Sequence, residues 1–266
     1  IASAKQKTVG EVLRKKAYLT PDRIALEWED KQWSFKELND EVNRLAKSLR
    51  QMGIKRGDRI SVLTQNRAEC SHILYAAAKI GAIVAFLNWR YTEKELVDAM
   101  NVVTPETIIV SGEYFNKIQS VIRHLPYIKH QIVLDDVEDI DSIISFRTLL
   151  SEEDNVEPSV ELHEEDAFLI IYTSGTTGIP KGATISHRAE FQRIIAQMAN
   201  FPSLLKITQD DVYVAREPFF HMVSSEQMFA THAMGGKVII LKGFDPVKLV
   251  DVLEKENIGW LCLAPG

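Results

Sequence analysis

The chain has 266 residues, of which 45% are hydrophobic and 26% charged, and a formal net charge of −6. That length can bury a substantial core as one large domain or two small ones. The acidic balance excludes a general nucleic-acid or membrane-surface binder but leaves room for a local basic pocket.

In chain order, residues 23–29 and 31–33 read as a hairpin that turns near Glu29 and Asp30. Ser34 and Glu37 then form a capping box, and Phe35, Leu38, Val42, Leu45, Leu49 and Met52 lie on one helical stripe that Gly53 ends. A buried strand is expected over 58–64. Asn66 with Glu69 is expected to cap a second helix, apolar nearly all round at 73–78 and so buried on more than one side. Gly81 ends it, and residues 82–87 follow as a strand. Thr92 with Glu95 caps a third helix, and strands at 107–110 and 131–134 flank another. This alternation predicts an α/β fold, doubly wound, with mostly parallel sheets flanked by helices.

Between 135 and 165 the sequence turns acidic and loses periodicity, and 151–158 reads as a solvated connection. It divides a first α/β subdomain, 1–160, from the start of a second, 161–266. The second begins with a buried strand and a loop, followed by a helix over 188–199 and a strand at 212–215. A segment near His221, a helix to His232 and a strand at 237–241 come next. Asp245 and Pro246 suit the N-cap and first position of a helix with Val247, Leu249, Val250 and Leu253 on its apolar face. A last strand is read at 259–263.

The loop from Tyr172 to Gly182 (YTSGTTGIPKG) is the most informative stretch. Gly175 and Gly178 let the backbone turn with positive φ and bring amide N–H groups close to an anion. Thr173, Ser174, Thr176 and Thr177 add hydroxyl donors, Lys181 adds a point charge, and Pro180 stiffens the exit. An ordinary polar turn uses the same residue types but rarely so many donors. A Walker-type loop needs Gly-Lys followed by Ser or Thr opening a helix; here Lys181 precedes Gly182 and Ala183 and enters a strand.

All eleven positions of this loop resemble the signature of the adenylate-forming (AMP-binding) superfamily, which includes acyl-CoA synthetases, luciferase-like enzymes and peptide-synthetase adenylation domains. The resemblance covers the whole chain. Residues 33–39 look like an early family segment, and 78–90 look like another, whose ending at Asn88 and Arg90 is closer to acyl-CoA synthetases. Residues 217–222 (EPFFHM) are similar to the segment whose aromatic and histidine side chains line the acyl pocket, which nominates Phe219, Phe220 and His221. Arg216 and Glu217 depart from that segment's apolar pattern.

The resemblance implies an ATP-dependent acid–CoA ligase that makes an acyl-adenylate and passes the acyl group to coenzyme A. Thr173, Ser174, Gly175, Thr176, Thr177, Gly178 and Lys181 would bind ATP, with Thr173 touching Mg2+. Alternatives are an adenylating enzyme that uses a carrier-protein thiol, a light-emitting one, and a truncated non-catalytic nucleotide-binding module. A small-molecule carboxylic acid is the expected partner, with no nucleic acid and a homodimer as an option. No apolar run approaches the roughly 20 residues that span a bilayer and no signal peptide opens the chain, so a cytoplasmic address is the default. The chain opens on Ile1 and stops near the middle of the family's amino-terminal domain, so it reads as a fragment without the downstream catalytic elements. It is expected to be inactive alone and to self-associate through an uncovered sheet face. Cys70 and Cys262 read as buried free thiols. His187 is expected to begin a helix in a structural role, His72, His124, His130 and His163 to be surface or packing residues, and His232 is left open.

Overall fold

The computed structural model describes residues 7–135, 142–151, 153–173, 180–200 and 208–261. Up to residue 150 the elements are α1 (Gly10–Leu19), β1 (Ile24–Trp28), β2 (Lys31–Ser34), α2 (Phe35–Gln51), β3 (Arg59–Leu63), α3 (Ala68–Ile80), β4 (Ile83–Phe86), α4 (Glu93–Val103), β5 (Thr107–Val110), α5 (Gly112–Val121), β6 (His130–Val133), β7 (Ile143–Ser145) and α6 (Phe146–Leu150). Then come β8 (Ala167–Thr173), β9 (Lys181–Ser186), α7 (His187–Asn200), β10 (Val212–Ala215), α8 (Met222–Met234), β11 (Lys237–Ile240), α9 (Pro246–Lys255) and β12 (Ile258–Trp260). Among the described residues no helix is long and apolar enough to cross a membrane.

A seven-stranded sheet runs β7-β6-β5-β3-β4-β8-β9 and a five-stranded sheet runs β12-β10-β11-β1-β2. Pairing is parallel in both, apart from the antiparallel pairs β8–β9 and β1–β2. This is the mixed, mostly parallel α/β architecture that the alternation predicted. Each sheet takes strands from both sides of residue 160, because β8 returns to β4 and β11 returns to β1.

The local signals explain most element boundaries. Ser34 and Glu37 make the reciprocal capping box that starts α2, and Thr92 and Glu95 make one for α4. Gly81 ends α3 at φ 76°, where a Cβ would lie 2.6 Å from Leu162 Cδ2, so only glycine fits this closing turn. All but one residue of α3 are buried, as its apolar circumference required. His72, on that helix, is a packing residue held between Ala68 O and Glu41 Oε2, each at 2.9 Å.

Several expectations need correction. Asn66 is not a helix cap: α3 starts from Arg67 with no side-chain cap, and the Asn66 carboxamide is used elsewhere. The acidic stretch contains β7 and α6, and the connection at 151–158 is strapped to α2 and α3 rather than freely solvated. Lys47 Nζ meets Asp154 Oδ2 at 2.9 Å, Asn43 donates to Asn155 O at 2.8 Å, and Lys79 Nζ meets Glu157 Oε1 at 2.7 Å. On α9, Asp245 does cap the helix, but only Leu249 of the apolar stripe is buried. Val247, Val250 and Leu253 are exposed, as is Phe244 just before the helix. Cys70 is a buried thiol pushed up to about 12 by that burial, whereas Cys262 lies outside the described residues.

Candidate functional site

The strand leading into the glycine-rich loop is apolar and lies between β4 and the edge strand β9. Phe168, Leu169, Ile170 and Ile171 of β8 are buried, and β8 lies beside β4 in parallel register, Ala85 opposite Ile170. After Tyr172, whose hydroxyl donates to Ala99 O at 3.0 Å, the strand emerges at Thr173. Thr173 is the register partner of Lys181, and its hydroxyl donates to Lys181 O at 3.4 Å. Both side chains are exposed. Among the described residues no carboxylate pairs with Lys181, so its charge is available to an anion. Ser174, Gly175, Thr176, Thr177 and Gly178 lie outside the described residues.

Phe219, Phe220 and His221 follow the carboxyl end of β10. Phe219 and Phe220 are buried, and the Phe219 ring packs 5.7 Å from that of Phe86, the last residue of β4. His221 is exposed at the N-cap of α8, its ring 4.5 Å from that of Phe220. It makes no side-chain cap bond, and among the described residues its ring nitrogens have no hydrogen-bond partner. Partial burial and then the nearby Arg90 cation hold its imidazole below the ordinary histidine range, favouring the neutral ring near neutral pH.

Three residues that the sequence reading did not place at the site stand out here. Asn66 donates to Glu217 O at 2.7 Å and accepts from Phe219 N at 3.1 Å, fixing the Phe219–His221 segment to the end of β3. Its spacing to Glu69 imitated a capping box and hid this role. Arg90 lies with its guanidinium 4.0 Å from the Trp89 ring centre, and Trp89 stacks on Tyr114 at 6.3 Å. Asn88 Oδ1 accepts from Arg90 N at 3.0 Å, so the cation sits on a built aromatic shelf. Glu190 is the third, a buried carboxyl on α7. The two departures from pattern, Arg216 and Glu217, form an ion pair at 3.1 Å.

Two further histidines are structural. His187 begins α7, stacks on Phe168 at 5.2 Å and accepts from Val9 N at 3.3 Å through Nδ1. His232 is buried, with Nε2 donating to Ala25 O and Nδ1 accepting from the Tyr75 hydroxyl, both at 2.9 Å. Burial pushes each of these imidazoles down to about 4. Among the described residues no group of three or more His, Cys, Asp or Glu could hold a metal ion.

Thr173 and Phe86 thus end neighbouring parallel strands, and Phe219 packs on Phe86. The carboxyl edge of a parallel sheet is where α/β proteins place ligands. Comparison with known proteins agrees with this arrangement. The family model described as "AMP-binding enzyme" matches residues 13–266. The chain is 26% identical over 254 residues to a 2-succinylbenzoate–CoA ligase of Bacillus cereus, covering 94% of this chain and 47% of that protein. It is 25% identical over 238 residues to 4-coumarate–CoA ligase 3 of Arabidopsis thaliana, covering 88% and 42%. It therefore spans about half the length of these relatives. Among solved structures, the inhibitor-bound N-terminal domain of FACL13 from Mycobacterium tuberculosis matches with a TM-score of 0.82 at 26% identity, over 94% of this chain and 61% of that one. The fold alone is shared with MbtA of Mycobacterium smegmatis, TM-score 0.84 at 22% identity, over 93% and 46%. With the match running from residue 13 to residue 266, this chain belongs to the AMP-binding enzyme family.

Proposed function

We propose that the protein containing this chain is an ATP-dependent acid–CoA ligase. A substrate carboxylate would attack the α-phosphorus of ATP, releasing pyrophosphate and leaving an acyl-adenylate. The thiol of coenzyme A would then attack the acyl carbon, forming the thioester and releasing AMP. The observation that carries the reading is the pairing of Thr173 with Lys181 at the mouth of the glycine-rich loop, on the sheet edge where Phe86 meets Phe219.

In this reading Lys181 neutralises the triphosphate tail, and Thr173, Ser174, Thr176 and Thr177 with the Gly175 and Gly178 amides surround it. The exposed Thr173 hydroxyl stands beside a cation with no carboxylate partner and no acidic cluster among the described residues, which fits a magnesium ion brought in on the phosphates. Such an ion would share the charge of the tail. Phe219 and Phe220 would form the apolar wall for the acid, and the neutral His221 ring would supply a hydrogen bond near its carboxylate. The two relatives that are CoA ligases support coenzyme A as acceptor over a carrier-protein thiol.

The test is acid-dependent release of AMP by the intact protein, with and without coenzyme A, for wild type and Lys181→Ala. The variant should fold normally, since Lys181 is exposed, and lose about 10- to 100-fold in kcat/KM for ATP, as expected for one charge-assisted contact. No AMP release across a broad acid panel, or an unchanged ATP dependence in the variant, contradicts the proposal.

A further inference from the structure

Helix α7 follows the strand that carries Lys181, and α8 follows His221. The stripe Glu190, Arg193 and Gln197 on α7 faces the first turns of α8. Arg193 Nη1 donates to Met222 Sδ, and Gln197 Nε2 donates to Glu226 Oε1 at 2.5 Å. Met222 is the residue after His221, so this polar stripe begins beside the proposed acyl wall and extends along α8. Glu226 lies five residues beyond His221, about 7.5 Å farther along the helix axis.

The stripe is chemically one-sided. Glu190 is 1% exposed, yet among the described residues neither of its carboxylate oxygens has a hydrogen-bond partner. The Gln197 Oε1 is also buried without one. All three orphaned atoms are acceptors. The charged neighbour of Glu190 among the described residues is Arg193, whose Nη1 forms a long ion pair with Glu190 Oε2 at 3.6 Å while donating to Met222 Sδ. Tyr75, whose hydroxyl feels the Glu190 charge, donates to His232 Nδ1, because His232 Nε2 must give its proton to Ala25 O. Burial, then Glu226, pushes the Glu190 carboxyl up to about 7. Orphaned buried acceptors are uncommon and costly. A ligand that brings donors removes that cost.

Resting on the reading of Phe219–His221 as the acyl wall, we propose that Glu190, flanked by Gln197 and Glu226, is the specificity-determining group of the acyl pocket and selects acids carrying an ammonium or hydroxyl donor remote from the reacting carboxylate. A site built to hydrogen-bond a substrate group discriminates strongly against the analogue lacking it, because its own polar atoms are then left unpaired.

The experiment compares straight-chain acids of matched length ending in ammonium, hydroxyl or methyl, using AMP release by the intact protein. Wild type should favour a donor-bearing acid over its methyl counterpart by about tenfold or more in kcat/KM. Whichever of ammonium or hydroxyl is favoured identifies the donor. Glu190→Gln, nearly isosteric, should collapse that ratio by about tenfold while leaving the KM for ATP unchanged, and the half-buried Glu226→Gln should shift it less in the same direction. A merely structural Glu190 would lower both acids equally, and that result, or an unchanged ratio, overturns the proposal. Should Glu190→Gln fail to fold, Glu226→Gln decides on the same criterion. AMP release with an unmoved ratio removes only this assignment, whereas no AMP release with any acid removes the ligase reading beneath it.

Discussion

Two helix pairs in this molecule each bury an ionisable side chain, and they treat it in opposite ways. Between α2 and α3, the Lys79 ammonium is 4% exposed, and all its donors are engaged: Asn39 Oδ1 and Asn43 Oδ1 at 2.6 Å, and Glu157 at 2.7 and 2.9 Å. Between α7 and α8, Glu190 is as deeply buried, yet among the described residues its carboxylate has no hydrogen bond and only a long ion pair to Arg193 at 3.6 Å. A buried charge that is fully paired rigidifies its surroundings, and one left open marks a place where the fold waits for something else. The α2–α3 layer is therefore scaffold, and the α7–α8 layer belongs to the ligand side of the molecule.

The contrast is most easily broken at Lys79. Burial holds this ammonium down to about 8 against the pull of Glu157, so it remains largely charged near neutral pH. Lys79→Met would strand the Glu157 carboxylate and two carboxamide oxygens and release the 153–158 strap from α3. The expected loss is about 3–5 kcal/mol, read as a fall in the urea midpoint. Adding Glu157→Leu should restore much of it, since a matched apolar pair substitutes well for a buried ion pair. A Lys79→Met protein as stable as wild type would mean that the strap, and not the lysine, organises this layer.

How far these layers could be read in advance follows from the range of the interactions. The capping boxes at Ser34 and Thr92, the turn at Gly81 and the all-round burial of α3 rest on contacts within a few residues, and the sequence announces them. Lys79 and Asn66 are defined by partners, and Glu190 by its burial, once β-strand order has brought distant segments together. Lys79 meets a glutamate 78 positions away, and Asn66 meets a backbone carbonyl 151 positions away. No periodicity encodes such pairs. The site shows the same division. The glycine-rich loop declares itself by composition, and the segment at Phe219 to His221 by its likeness to a family segment. Arg90 on its Trp89 shelf and the orphaned Glu190 become visible only when the helices are placed.

The ionisation of the buried groups sharpens the comparison. His187 and His232 are held down to about 4 by burial, so between that value and the unfolded 6.5 the unfolded chain binds more protons, and stability falls as pH drops. Glu190, raised to about 7, works in reverse: between 4.5 and 7 the folded state binds the extra proton, so its contribution to stability rises as pH drops. From pH 6.5 to 4.5 the two histidines together cost about 4 kcal/mol and Glu190 returns about 2, a net loss of about 2 kcal/mol. Glu190→Gln should roughly double that loss, measured by urea unfolding across the window. Parallel stability curves for the two proteins would show that Glu190 is already ionised in the fold and finds a partner there.

The smallest expected effect tests the joint between scaffold and site. Asn66 leaves β3, in the rigid layer, and holds Glu217 O and Phe219 N, one residue short of Phe220. Its two hydrogen bonds are local to a connecting segment, and Ser224 Oγ also donates to Glu217 O, so the segment keeps a second tether on α8. Removing the carboxamide in Asn66→Ala should therefore cost only about 1 kcal/mol of stability, because Ser224 still satisfies Glu217 O and only the buried Phe219 N loses its partner. The consequence for the proposed pocket is more specific than for the fold. Loosening Phe219 moves the apolar wall and leaves the Thr173–Lys181 pairing on β8 and β9 untouched. The KM for the acid should rise several-fold while the KM for ATP stays constant. Equal changes in both constants would mean that Asn66 supports the whole sheet edge, and that the acid wall and the phosphate loop move as one body.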